Sequence, residues 1–388
     1  NEPRGSDVLV GWSGDDTFVV TGGGAFNAVV NGGAGVDRLD IRYSGLNVLR
    51  DFSSWDYANG ELIFRDAAGG VISAASIEGL TINDRSYVLY LGSYSFDIGQ
   101  PGYGSKLIWG QSEKVLYGFP GSVFYANSGW LSSLSGLTSS DTFEFLGSTG
   151  QDTLNLNVNR TNFTGGFVVR TGGSADSVLS ARLKSVDQID LGDGDDTIYV
   201  MVSDLGSLSL TLLSGGPGVD TLVFEESTVA SGQEIGLSSI GATGFENLRG
   251  SSTGEILRGD SGSNALYAIG GTDTLYGMGG DDTLYGGSSG MGQNQASQDS
   301  TNDVLYGDAG NDLLIGTAGA NVLDGGTGAD TLVSGAGSDT FVLRAGDGGG
   351  SIDQADVIKD FADGTDLLLL VGLNYSQLSF SAGSGAHT

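Results

Sequence analysis

A leucine returns every nine residues through the last third of the chain. Leu248, Leu257, Leu266, Leu275 and Leu284 keep that interval, and two positions before each stands an acid or an amide: Glu246, Glu255, Asn264, Asp273 and Asp282. The register then resumes with Asp303, Asp312, Asn321, Asp330 and Asp339, followed at the same offset by Leu305, Leu314, Leu323, Leu332 and Phe341. The step from Asp282 to Asp303 is 21 residues, nine plus twelve, and the surplus falls in the polar stretch 287–301, expected to be a loop leaving one turn. One apolar residue between polar neighbours, repeated between glycine turns, predicts short strands that send one side chain inward and its flanks outward. A fixed short period of this kind belongs to repeat architectures. The expected fold is all-β, a parallel β-solenoid.

The clearest copy runs Gly325-Gly326-Thr327-Gly328-Ala329-Asp330-Thr331-Leu332-Val333. It resembles the glycine-rich nonapeptide GGxGxDxUx of the RTX (repeats-in-toxin) family, and the resemblance implies a calcium β-roll. In such a roll six residues turn and three form a strand, two repeats complete a coil, and residues eighteen apart, such as Asp312 and Asp330, stack along one edge. Carboxylates at the roughly 4.8 Å spacing of adjacent strands repel by about 1 kcal/mol in water and about 3 to 4 kcal/mol at an effective dielectric near 20. A calcium ion between turns reverses that sign, taking carboxylate and backbone carbonyl oxygens at about 2.3–2.6 Å. Glycine supplies the positive φ that aims the carbonyls inward. The expected metal ligands are Asp7, Asp16, Asp37, Asp152, Asp196, Asp220, Asn264, Asp273, Asp282, Asp303, Asp312, Asn321, Asp330 and Asp339. Asn264 and Asn321 each weaken their site by one charge, Glu246 and Glu255 form a lead-in, and for isolated copies such as Asp37 and Asp152 an ordinary metal-free Gly-Asp turn competes.

Five segments follow from the pattern. Residues 1–41 hold a short RTX patch around Gly5-Ser-Asp7-Val-Leu9, Gly14-Asp-Asp16-Thr-Phe18 and Gly32-Gly33-Ala-Gly35-Val-Asp37-Arg-Leu39. Residues 42–140 lose the period but keep strand composition and concentrate aromatics, among them Tyr87, Tyr90, Tyr94, Phe96, Tyr103, Trp109, Tyr117, Phe119, Phe124, Tyr125 and Trp130. These are expected to pack a core or, alternatively, to form a platform for glycan or a neighbouring subunit. Residues 141–245 carry degenerate, unphased copies at Asp152, Asp196 and Asp220, joined by runs such as 208–213. Residues 246–345 are the phased roll. There Tyr267 and Tyr285, and Tyr276 and Tyr306, recur at the ninth position and are expected to stack across rungs. The tail, 346–388, contains Asp356-Val-Ile-Lys-Asp360-Phe361-Ala-Asp363-Gly364-Thr-Asp366-Leu, similar to the segment after the repeats of RTX proteins exported by type I machinery. That likeness implies an uncleaved C-terminal secretion signal, expected here to be clipped or missing, in a chain that is a fragment of something longer.

Composition narrows the function. The 388 residues include 69 Gly but only 4 Pro, no Cys, and a single His at position 387. Thiolate sites, disulfides, His-ligated zinc and Ser-His-Asp catalysis are thereby removed. A formal charge of −31 with no basic cluster argues against nucleic acid and makes multivalent cations the natural partners. The longest apolar run, Leu367 to Val371, is far short of the roughly 20 residues of a membrane span. The expectation is a non-enzymatic, extracellular or cell-surface calcium-binding protein with a structural or adhesive role, a surface-layer, filament or matrix component that folds and self-associates with several Ca²⁺ ions or contacts cell-surface polysaccharide. The calcium-dependent folding and secretion module of a larger secreted enzyme or toxin is the alternative, and a solenoid that is itself a polysaccharide-acting enzyme is a third.

Overall fold

A computed structural model describes residues 6–22, 27–91, 107–110, 112–119, 123–125, 138–156, 164–181, 183–201, 212–225, 229–287, 300–348, 351 and 354–373. The chain divides into two compact units, Asn1–Val200 with Leu212–Gly218, and Met201–Thr211 with Val219–Thr388.

The second unit is the regular one. One sheet stacks Thr221–Phe224, Asn247–Arg249, Ala265–Tyr267, Thr283–Tyr285, Leu313–Ile315, Thr331–Val333 and Val357–Ile358. A second stacks Glu234–Gly236, Ile256–Arg258, Thr274–Tyr276, Val304–Tyr306, Val322–Asp324, Thr340–Arg344 and Leu367–Val371. The paired strands are parallel, and within the phased block Leu305 faces Leu323 and Leu314 faces Leu332, so one coil is eighteen residues. Across the insertion Leu275 faces Leu305 and Leu284 faces Leu314, which keeps the inward column intact. Residues 288–299 of the loop expected there lie outside the described residues. Ten apolar side chains from Leu248 through Leu332 to Phe341 are 0% exposed, each worth about 1.5–3 kcal/mol of transfer from water. These single inward residues hold strands of three residues together, because such strands have few hydrogen bonds of their own. The all-β parallel roll expected from the period is the fold observed.

The flanking positions build columns of their own, half-buried or, at Tyr267, buried. Tyr267 stacks on Tyr285 at 4.9 Å and Tyr276 on Tyr306 at 4.8 Å, as the ninth-position spacing requires. Arg258 extends the second column, its guanidinium 3.8 Å from the Tyr276 ring centre.

The first unit is less regular. A five-stranded sheet runs Ser6–Val10, Asn27–Asn31, Val71–Ala75, Glu61–Arg65, Ser54–Ala58, parallel for the first three and antiparallel for the hairpins that follow. A longer sheet is parallel at both ends but antiparallel through Gly79–Ile82, Arg85–Tyr90, Leu107–Gly110 and Val115–Gly118. A third holds Val123–Tyr125, Thr153–Asn155, Ser177–Ala181 and Thr197–Val200, its adjacent strands parallel.

Four of the aromatics named for the period-free stretch are core. Tyr87, Trp109, Tyr117 and Phe119 are at most 4% exposed, and Trp109 stacks on Phe143 at 6.2 Å. Trp109 and its described neighbours therefore form no exposed platform, which corrects that alternative for them: other rings cover them, Phe143 on Trp109, Trp55 and Tyr87 on Tyr117, and Tyr57 on Phe119. Tyr94, Phe96, Tyr103 and Trp130 lie outside the described residues. The same region holds a polar clasp. The hydroxyls of Tyr87 and Tyr117 donate to the two carboxylate oxygens of Glu113, and Arg50 and Arg170 share Glu144. Burial pushes both tyrosines well above the usual phenol range, so they stay protonated donors.

Candidate metal centre

The turn acid of each repeat stands two residues before the inward apolar residue and points along the edge of the roll. Its environment is the same from rung to rung. The backbone N–H of Asp312 donates to Oδ1 of Asp330 at 2.8 Å, that of Asp282 to Asp312 at 2.7 Å, that of Asn264 to Asp282 at 2.7 Å, and that of Asp330 to Asp356 at 3.1 Å. The other edge repeats this through Glu255, Asp273, Asp303, Asn321, Asp339 and Asp366, at 2.6 to 3.1 Å. Bare carboxylate repulsion, the expectation from spacing, is therefore replaced by a ladder in which an N–H separates successive acids and satisfies one oxygen of each.

The second oxygen is the chemically informative one. Oδ2 of Asp273, Asp282, Asp312, Asp330 and Asp339 is buried with no hydrogen-bond donor, and those residues are at most 2% exposed. Burying a carboxylate oxygen without a partner costs several kcal/mol unless a charge compensates. Glycine makes the space beside it. A Cβ at Gly307 would overlap both Asp312 Oδ2 and the carbonyl oxygen of Gly325; one at Gly277 would overlap Asp282 Oδ2 and come within 2.6 Å of the Gly307 carbonyl. Carboxylate and carbonyl oxygens thus converge on a cradle that any side chain larger than hydrogen would fill. Gly328, at φ +144°, lies directly under the Gly310 carbonyl of the preceding coil and brings the turns close enough for this.

Burial raises the acids. Asp282 and Asp312 are pushed up to about 7 and Asp330 to about 6, chiefly by desolvation and against the lowering effect of the N–H each accepts. Asp273 moves up for the same reason, with Glu255 and Asp303 adding like charge.

In the first unit the ladder is shorter. The Asp16 N–H reaches Asp37 Oδ1 at 2.8 Å and the Asp37 N–H reaches Glu78 at 2.7 Å, while Oδ2 of Asp37 is buried without a donor. Asp152, Asp176 and Asp196 form a second run at 2.7 and 2.6 Å. Asp152 differs in that its Oδ2 accepts the Ser148 N–H at 2.9 Å and the Ser148 hydroxyl at 3.2 Å. The Asp220 N–H reaches Glu246 at 2.8 Å in the second unit. Asp7 sits inside a strand opposite Ala28 and meets no acid on the adjoining rung.

Glu78, Asp176, Asp356 and Asp366 occupy the ladder position and were not anticipated. Each stands two places before the residue in register with the inward column, buried at Leu80 and Val178, half-buried at Ile358 and 40% exposed at Leu368 on the last rung, and that offset is the signal a strict nine-residue period overlooks. Asp176 follows Gly172-Gly173 with Ser174 at φ +81° where glycine is usual. Rung lengths of 24 and 20 residues, from Asp152 to Asp176 and on to Asp196, hide the phase.

The donor set is hard oxygen throughout, which suits Ca²⁺. Among the described residues no three His, Cys, Asp or Glu side chains gather at one point. An ion in a cradle would accordingly be held by a carboxylate oxygen together with backbone carbonyls.

A parallel roll with acid ladders on its glycine turns defines a class of repeat protein, and the chain carries that class's motif. The family model for the RTX calcium-binding nonapeptide repeat (4 copies) matches at residues 4–24, 258–289, 299–323, 306–341 and 315–349. Repeats of this family bind calcium and are typical of secreted proteins. No curated protein matches the chain. Among the described residues no helix is long and apolar enough to cross a membrane.

Proposed function

We propose that the protein is an extracellular calcium-binding structural or adhesive component, of a surface layer, filament or matrix, and that calcium drives both its folding and its self-association. It acts without catalysis. The observation that carries the reading is the row of buried, donor-free Oδ2 atoms at Asp273, Asp282, Asp312, Asp330 and Asp339, whose charge a cation between the coils would compensate at neutral pH. Asp16, Asp37, Asp196, Asp220, Asn264 and Asp303 are further ligands by position. Association follows from charge. At −31 the ion-free chain repels its copies, whereas each bound ion adds two positive charges and about ten would cancel most of that charge.

Circular dichroism and sedimentation across a calcium titration test this. Loss of β-signal in chelator, recovered in the millimolar calcium range with growth of sedimenting species, is expected. A β-signal indifferent to chelator would remove the calcium dependence, and a strict monomer with calcium bound would leave the folding-and-secretion module as the better reading.

A further inference from the structure

Along the edge Glu255–Asp273–Asp303–Asn321–Asp339–Asp366, one rung has an amide where the others have a carboxylate. Asn321 keeps every backbone feature of the ladder. Its Oδ1 accepts the Asp303 N–H at 2.9 Å, and its own N–H donates to Asp339 Oδ1 at 2.8 Å. With Oδ1 committed to the ladder, the nitrogen must occupy the inner position. There Nδ2 donates to the Ser334 carbonyl at 3.2 Å, and Asn321 is 1% exposed.

The equivalence with a carboxylate rung is direct. A Cβ at Gly316 would come within 2.6 Å of the Ser334 carbonyl and 2.9 Å of Asn321 Nδ2; at Gly307 the same position meets the Gly325 carbonyl and Asp312 Oδ2. Two oxygens facing one space call for a cation. A nitrogen facing an oxygen is already a hydrogen bond, and its N–H hydrogens point their partial positive charge where the ion would sit. Asn264 makes the comparison sharper. Its inner atom is Oδ1, beside Gly259 and the Gly277 carbonyl, and it accepts the Asp260 N–H at 2.8 Å. The two asparagines present opposite ends of the same amide.

We propose that the Asn321 rung is closed by its own side chain and takes no calcium, an ion-free lock inside an otherwise calcium-bound edge. This rests on the calcium reading above. The sites at Asp273 and Asp303 are then separated from that at Asp339, whereas Asp282, Asp312 and Asp330 run unbroken on the opposite edge, so the two edges fill differently.

Counting bound calcium by native mass spectrometry, with calorimetry as a second readout, tests the lock on the full chain. Asn321→Asp should bind one ion more than wild type. Asn321→Ala should bind the same number as wild type but melt lower in calcium, and Asp330→Ala should lose at least one ion. A wild-type count of zero would overturn the calcium reading itself, and the lock with it. A wild type that binds calcium, with Asn321→Asp unchanged in count or Asn321→Ala short by one, would overturn the lock alone. If Asn321→Asp fails to fold, the Asn321→Ala count decides.

Discussion

Asp282, Asp312 and Asp330 carry a conflict that pH exposes. Without an ion, their folded-state values near 7, 7 and 6 stand above the roughly 3.9 of an unfolded aspartate. Groups raised on folding contribute stability that is complete below the unfolded value and is lost as pH rises through the folded one. In chelator, lowering the pH from 8 to 5 should therefore restore part of the β-signal. In excess calcium the sign reverses, because protons compete with the ion for the same oxygens and the apparent affinity should fall below about pH 7. Circular dichroism at the two pH values, with and without chelator, checks both. An ion-free chain whose β-signal is the same at pH 5 and 8 would show that these carboxyls are not the obstacle.

Legibility in the sequence also divides at this scale. The inward column and the acid two places before it could be read because a side chain's direction in a short strand follows from its position alone. The same arithmetic placed Tyr276 over Tyr306. Glu78, Asp176, Asp356 and Asp366 were hidden because the coils that hold them are longer than eighteen residues, and a wider rung changes the interval without changing the offset. What composition left open for Trp109, core or platform, was decided by hairpins between Gly79 and Gly118 that pattern reading could not register. The donor-free oxygen was invisible too, since it depends on what the neighbouring coil presents.

At the scale of the turn, backbone and side chain have to agree. Gly328 combines φ +144° with a neighbouring carbonyl where its Cβ would be, whereas Gly346, at φ +98°, has nothing within 4 Å. Gly328→Ala should lose more than about 1 kcal/mol because strain and collision add, and Gly346→Ala should lose only the cost of the backbone strain. Thermal melts in saturating calcium compare them. Equal losses would mean that the coils can spread to admit a methyl group, and that their close approach is not what shapes the cradle.

Over the whole molecule, the acid ladder has a direction in time. From Asp16 to Glu78, from Asp152 to Asp196, from Asn264 to Asp356 and from Glu255 to Asp366, the acceptor always comes later in the chain than the N–H it serves. A rung is finished only when its successor is in place. A polypeptide delivered with its C-terminal end leading would find each acceptor already waiting, and could close one coil per step like a ratchet. Delivered the other way, the turn N–H of every new coil would wait for its acid until the following coil arrived. The strand N–H groups, such as that of Thr331 onto the Asp312 carbonyl, run the opposite way and would be answered at once. Feeding the unfolded chain through a pore into calcium should accordingly give faster recovery of structure with the C-terminus first than with the N-terminus first, and equal rates would mean that the ladder's polarity does not govern assembly. With that polarity, the trailing coil is always added to a finished template, and the growing roll itself opposes backward slippage.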